Sequence, residues 1–318
     1  MSELKSVIKV LIGPLLLSIV ILFLMWVYIV KYPSNYFQDT YQSMIQDKYE
    51  ILVNETEPKI IVIGGSNVAF GLNNKMLSEE TGYPVVSMGL HGGFGGLFNT
   101  EIAKENISEG DIVLLAYEYA WCVEKSYFGG LGVDLIMSGI DSKIEMYKCI
   151  PLRNWPEIIG YLPTYYTKKA IEPFAKEIYS RSAFDENAQM IYKRGPGITN
   201  YEENISSYGA VWIDGLEVPK DTVAYLCELK KYCEGKGASI YFVAPPLYYE
   251  ANKSEDSSFI KLVEQVESEI GIDYISNPLE YMYPYEYMCD TIYHCSSEGE
   301  IVRTKQLIED LKNAGICK

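Results

Sequence analysis

Histidine is nearly absent from this chain of 318 residues: only His91 and His294 occur. No Cys-x-x-Cys pair accompanies them, so the ligand spacings of structural zinc sites are missing. Positive charge is also short, with 27 Lys and Arg against 43 Asp and Glu and a net charge of −16. Nucleic acid and anionic lipid surfaces both select clustered Lys and Arg, and this composition argues against both. The acidic excess is read as solubility. The seven cysteines are an odd number, which leaves at least one thiol unpaired in a monomer. Cys227 and Cys233 lie six apart on a predicted helix, about 240° around its axis, and cannot bridge there. Cys289 and Cys295 are spaced to close a loop. No internal repeat and no low-complexity tract is found.

One long apolar run is present. Val10 to Val30, "VLIGPLLLSIVILFLMWVYIV", has 21 residues without a charge, enough to cross a hydrocarbon core of about 30 Å. A cleaved signal peptide has a shorter apolar core and a small-residue site after it. Here Lys31-Tyr32-Pro33-Ser34 follows, so residues 1–33 read as an uncleaved anchor. Trp26, Tyr28 and Tyr32 stand where an interfacial aromatic belt belongs. Lys5 and Lys9, opposed by Glu3, precede the span and Lys31 follows it. The positive-inside rule leans toward a cytoplasmic N-terminus and an extracytoplasmic body. Residues 34–57, polar and mixed in charge, read as a juxtamembrane helix or stalk.

From residue 58 onward apolar runs alternate with helical patterns. Strands are predicted at 59–64, 84–88, 111–117, 239–244 and 272–276, with helices at 73–80, 95–106, 221–233, 257–270 and 298–313. Unbroken apolar strands are those of a parallel sheet covered on both faces. The expected fold is a flavodoxin-like, doubly wound, five-stranded α/β sheet over residues 58–318. A largely helical insertion at about 119–215 interrupts it, where the β period lapses. In such sheets ligands bind beyond the carboxyl ends of the strands. Ser66, Gly89 and Glu118 follow the first three strands and fall on that edge.

The first strand runs directly into Gly64-Gly65-Ser66-Asn67. A serine becomes a nucleophile when a base takes its proton and a third group orients the base. His294 lies four residues after Asp290, whose carboxylate can accept from its Nδ1–H. Ser297 and Glu300 read as a capping box that starts the last helix just after His294, which puts the pair on a loop at an element end. His91 sits in "GLHGGFGG", as a substrate-binding residue or as a turn-former. Arg303 reads as a helix-surface charge, and most of the 28 tyrosines as packing residues. The four Asn-x-Ser/Thr matches matter only in a glycosylating host.

"GGSN" after strand one, a glycine after strand two and an Asp–His pair before the final helix resemble the SGNH (GDSL-type) hydrolases. The ending "DTIYHCSSEGEIVRTKQLIEDL" is similar to membrane-anchored, DltD-like envelope proteins that work beside membrane-bound O-acyltransferases. The resemblance implies Ser66 as nucleophile, His294 as base and Asp290 as its orienter. It also implies an oxyanion hole from the N–H groups of Ser66 and Gly89, with no cofactor and no metal.

The third block departs from the family. Where the family supplies an asparagine donor in a G-x-N-D pattern, this chain has Leu115-Ala116-Tyr117-Glu118-Tyr119. An ionised Glu118 cannot donate a hydrogen bond and would repel a developing oxyanion. Three options stay open: Glu118 is protonated, it binds substrate or something else, or another donor such as Asn67 substitutes. Two functions are therefore expected. The first is a membrane-tethered serine esterase or O-acyltransferase acting on an envelope glycan or related acyl ester. The second is a non-catalytic or relay subunit docked on a membrane-bound O-acyltransferase.

Overall fold

The computed structural model describes residues 2–171 and 179–317. Its elements, in chain order, begin with the long helix α1 (Ser2–Lys31), then α2 (Met44–Asn54) and strand β1 (Ile60–Gly64). The one-turn helix α3 (Ser66–Ala69), α4 (Asn74–Thr81), β2 (Val85–Ser87) and α5 (Gly96–Ala103) follow, then β3 (Ile112–Ala116). Helices α6 (Val133–Gly139), α7 (Trp155–Ile171) and α8 (Lys220–Gly235) lead to β4 (Ser239–Phe242), and α9 (Asp256–Gln265) and α10 (Ser297–Asn313) close the chain.

The strands form a four-stranded parallel sheet in the order β2-β1-β3-β4. Every residue of β1 and β3 is buried, and alternate residues enter different layers. Ile61, Ile63, Val113 and Leu115 join the larger core with Ile45 and Leu52 of α2 and Phe98 of α5. Ile60, Val62, Ile112 and Leu114 join the smaller one with Leu77 of α4 and Leu307 and Leu311 of α10. Helices thus cover both faces, which is why the strands read as unbroken apolar runs. Each such leucine stabilises the fold by about 1.5–3 kcal/mol through burial.

The predicted fifth strand is reduced to one parallel bridge, Phe242 to Tyr274. Phe242 N–H donates to Asp273 O (2.9 Å) and Ile275 N–H to Phe242 O (3.0 Å). Beyond that point the Ser276 hydroxyl, not a backbone carbonyl, accepts the Ala244 N–H at 2.6 Å. Pro245, Pro246 and Pro278 stand just outside this bridge and bring no N–H with which to lengthen the ladder.

Residues 34–57 are not a stalk. Phe37, Tyr41, Met44, Ile45, Tyr49 and Leu52 are buried in the main core, and the Lys48 ammonium donates to Ser87 O at 2.9 Å. Several of the polar residues that suggested a solvated segment, Thr40, Gln46 and Lys48 among them, are themselves buried. The insertion belongs to the same core through Phe184, Met190 and Tyr201. It is less helical than expected: around α6 and α7 it consists of single turns and extended chain. Within the expected helical insertion, residues 172–178 lie outside the described residues, and 179–184 holds only a 3-10 turn.

Within α1, Leu11–Lys31 is long and apolar enough to cross a membrane, and Leu15, Leu17 and Phe23 are exposed. Its last turns dock on the body. The Trp26 ring meets Tyr147 edge-on at 4.7 Å and the Tyr28 ring meets Tyr166 at 5.1 Å. Two of the three expected belt aromatics therefore pack on protein. Lys169 Nζ donates to Ile29 O at 2.7 Å and pairs with Asp141, which accepts the Ser34 N–H at 2.8 Å. The end of α1 thus meets the body through ring contacts and hydrogen bonds.

Candidate active site

Ser66 is the first residue of α3, where β1 turns sharply back over the sheet edge. The turn is tight enough to need glycine. A Cβ on Gly65 would stand 2.8 Å from Glu118 Oε1, and one on Gly89 would stand 2.7 Å from Gly65 O. The exits of strands β1, β2 and β3 thus crowd together, as their order predicted.

Asn67 braces this elbow. Its buried side chain accepts the Gly65 N–H on Oδ1 (3.0 Å) and donates from Nδ2 to Ala116 O (2.8 Å). Asn67 has a fully buried side chain and is not among the residues that line the cavity. Its carbonyl in turn accepts from Arg303 Nη1 at 2.7 Å. Arg303 is 1% exposed and is no surface charge, because α10 lies against α3 and turns this residue inward.

The last loop is closed by an antiparallel bridge between Met288 and Cys295, with the Cys289 N–H on His294 O at 2.7 Å. Backbone closes this loop; Cys289 and Cys295 are both free thiols. The closure brings Asp290 Oδ1 within 2.7 Å of His294 Nδ1. Nδ1 then carries the proton and Nε2 is left as an acceptor, the tautomer a general base needs. Asp290 Oδ2 also accepts from the Tyr179 hydroxyl at 2.8 Å. Burial pushes the Asp290 carboxyl up, but the bonds from His294 and Tyr179 outweigh it and hold its pKa at about 2. The His294 ring stacks on Phe70 at 3.9 Å between centroids and 7° between planes. Phe70 is the residue that ends α3, so His294 and Ser66 share one support. Arg194 lies over the same Phe70 ring at 5.4 Å.

Helix α10 starts one residue earlier in its cap than expected. Ser296 Oγ, not Ser297, accepts from a first-turn N–H, that of Gly299 at 3.1 Å. Glu300 does not reach back to complete a box. It pairs with buried Arg194, which draws the end of the insertion against the last helix.

Ser66, His91, Glu118 and His294 all line one cavity of about 1110 Å³. Among the described residues the Ser66 hydroxyl bonds to Glu118 Oε1 at 3.4 Å, not to His294. Neither the Ser66 nor the Gly89 N–H has an acceptor among the described residues. His91 Nδ1 accepts the Gly93 N–H at 2.9 Å, which leaves its proton on Nε2. Burial, and then the proximity of His294, lowers the pKa of His91. His91 is thus both turn-former and neutral donor at the cavity wall.

Of four further contributors, three carried no functional signal in the sequence. Tyr179 is one tyrosine of 28, and Arg194 is drawn in by a long-range contact. Trp212, 65% exposed on the cavity wall, is one aromatic among many. Phe70 alone was readable, one helical turn after Ser66. No protein-family model and no curated protein matches the chain.

Proposed function

We propose that this chain is a membrane-tethered, SGNH-like serine esterase or O-acyltransferase that works through a Ser66 acyl-enzyme. One observation carries the reading: an Asp290–His294 couple, stacked on the helix that bears Ser66, opens on the same cavity as that serine. In this reading the bridge at Tyr274 marks the fifth strand position of a flavodoxin-like sheet. The helix α1 is a single-pass anchor with the body on the extracytoplasmic side.

In the reaction, Ser66 Oγ swings from Glu118 to His294, gives its proton to Nε2 and bonds to the ester carbonyl carbon. Negative charge collects on the carbonyl oxygen, facing the open N–H groups of Ser66 and Gly89. The imidazolium, steadied by Asp290, returns the proton to the departing alkoxide as the C–O bond breaks. Water or a sugar hydroxyl then attacks the acyl-enzyme by the same steps in reverse. The cavity is larger than a small acyl group needs, and Trp212 offers an open aromatic face, which suits a glycan acceptor.

The Ser66–Glu118 bond favours a second reading, in which the resting site is a relay completed by a membrane-bound O-acyltransferase. Fluorophosphonate labelling of the full chain in detergent, with S66A beside it, decides between them. Labelling that vanishes in S66A is expected. A folded wild type that stays unlabelled overturns the enzyme reading and leaves the relay.

A further inference from the structure

The Glu118 carboxyl occupies the place where the resembled family holds a neutral donor. Its Oε1 accepts twice, from the Asn67 N–H at 3.3 Å and from the Ser66 hydroxyl at 3.4 Å. Among the described residues Oε2 has no hydrogen-bond donor, and no Lys or Arg forms an ion pair with Glu118. Arg303 donates from Nη1 to Asn67 O and makes no ion pair with Glu118. The Glu118 carboxyl is half-buried at the cavity wall, and a carboxylate drawn partly out of water without a paired cation is relieved by taking up a proton. The proton then goes on Oε2, because Oε1 is already an acceptor for two groups.

We infer that Glu118 acts as a neutral carboxylic acid whose Oε2–H donates to the oxyanion formed at Ser66, in place of the asparagine amide. Glu118 is then a catalytic residue, and this assignment rests on the acyl-enzyme reading of the site. In the resting site Ser66 Oγ lies 3.4 Å from Glu118 Oε1, so the carboxyl stands beside the carbon that becomes attached once the hydroxyl has turned to His294. A neutral acid contributes a donor where an ionised one would contribute repulsion. The side chain of Asn67 is bonded within the elbow and lies off the cavity wall that Glu118 lines.

The charge state of the surroundings agrees. Burial raises the Glu118 pKa; His294, the bonds from Asn67 and Ser66, and then Arg303 pull it back only in part. Tyr41, Tyr127 and Tyr293 also face it, each pushed up by burial and so uncharged near neutrality. The donor form is therefore the low-pH form, and catalysis declines as pH rises through the raised pKa of Glu118.

The test uses the full chain in detergent with p-nitrophenyl acetate, subtracting the S66A rate. E118L, of similar size and unable to donate, loses about 10²–10³ in rate, with folding checked by circular dichroism. E118Q recovers most of that loss, since an amide donates from the same place, and it lacks the high-pH decline of wild type. E118Q as slow as E118L makes Glu118 an ionised base toward Ser66 and overturns the proposal. E118L faster than wild type makes the carboxyl a plug in the oxyanion site and overturns it too. Both results leave Ser66-dependent turnover in place and so spare the acyl-enzyme reading. Absence of Ser66-dependent turnover in wild type removes that reading and the donor role together. Infrared difference spectra of wild type against E118Q read the protonation state without substrate. A carboxylic-acid C=O band lost in E118Q is expected, and a carboxylate band in its place overturns the proposal.

Discussion

Strands β1 and β3 lie side by side, and a carboxyl stands at each end of the pair, one fully buried and one half-buried. At the entrance Asp111 precedes β3 and meets Lys59, which precedes β1. Their side chains pair at 2.9 Å, both fully buried. Asp111 also accepts from the Lys59 N–H (3.0 Å) and the Ser108 N–H (2.8 Å). At the exit Glu118 follows β3 and meets Ser66, which follows β1. It accepts two bonds longer than 3.2 Å and pairs with no cation among the described residues. The two ends share strands and residue chemistry, and differ in burial and saturation. A fully buried carboxylate paired with a cation and bonded to backbone N–H groups holds the sheet together. One left under-met beside a hydroxyl has bonding capacity to give to a substrate.

The largest expected effect breaks the entrance. K59M leaves the Asp111 charge buried without its cation and should cost about 3–5 kcal/mol of stability, read as a fall in the denaturant midpoint. The double variant K59M/D111L, apolar at both positions, should recover a large part of that loss. Ser66 labelling in the folded fraction should stay unchanged in both. A labelling rate that falls with K59M would show that the two ends are not independent.

A smaller effect is expected at the exit's support. Arg303 holds the Asn67 carbonyl, one residue beyond Ser66. R303M should cost roughly 1–3 kcal/mol, since it orphans a buried carbonyl, and should also slow Ser66 labelling by loosening the elbow. Stability lost with the labelling rate intact would make Arg303 a structural residue only.

Much of the exit was legible because local chemistry dictates it. Two glycines after an apolar run force a turn, and Asp and His four apart in a short loop come together once the loop closes. The alternation of strands and helices gave four of the five predicted strands for the same reason. The fifth failed where prolines withhold the donors of a longer ladder. Residues 34–57 were misread because Lys48, Gln46 and Thr40 are buried by partners distant in sequence, such as Ser87 and Gly139. Polarity alone cannot distinguish such residues from a solvated stalk. Arg303 was misread the same way: a helix tells which residues share a face, and only packing tells which face turns inward.

The smallest expected effect tunes the third carboxyl of the molecule, Asp290, which is met but half open to solvent. Its folded pKa, about 2, lies below the ordinary aspartate value near 3.9. The couple with His294 is therefore fully favourable above about pH 4 and is lost as pH falls toward 2. Tyr179 supplies one of the bonds that lower this value. Y179F should raise the Asp290 pKa by less than about one unit, because one hydrogen bond of about 0.5–1.5 kcal/mol is removed and solvent screens part of it. A carbon-13 NMR titration of the aspartate carboxyls, wild type against Y179F, reads the shift. An unmoved titration would mean that His294 alone sets Asp290. The base would then be oriented from its own loop, with no help from the insertion.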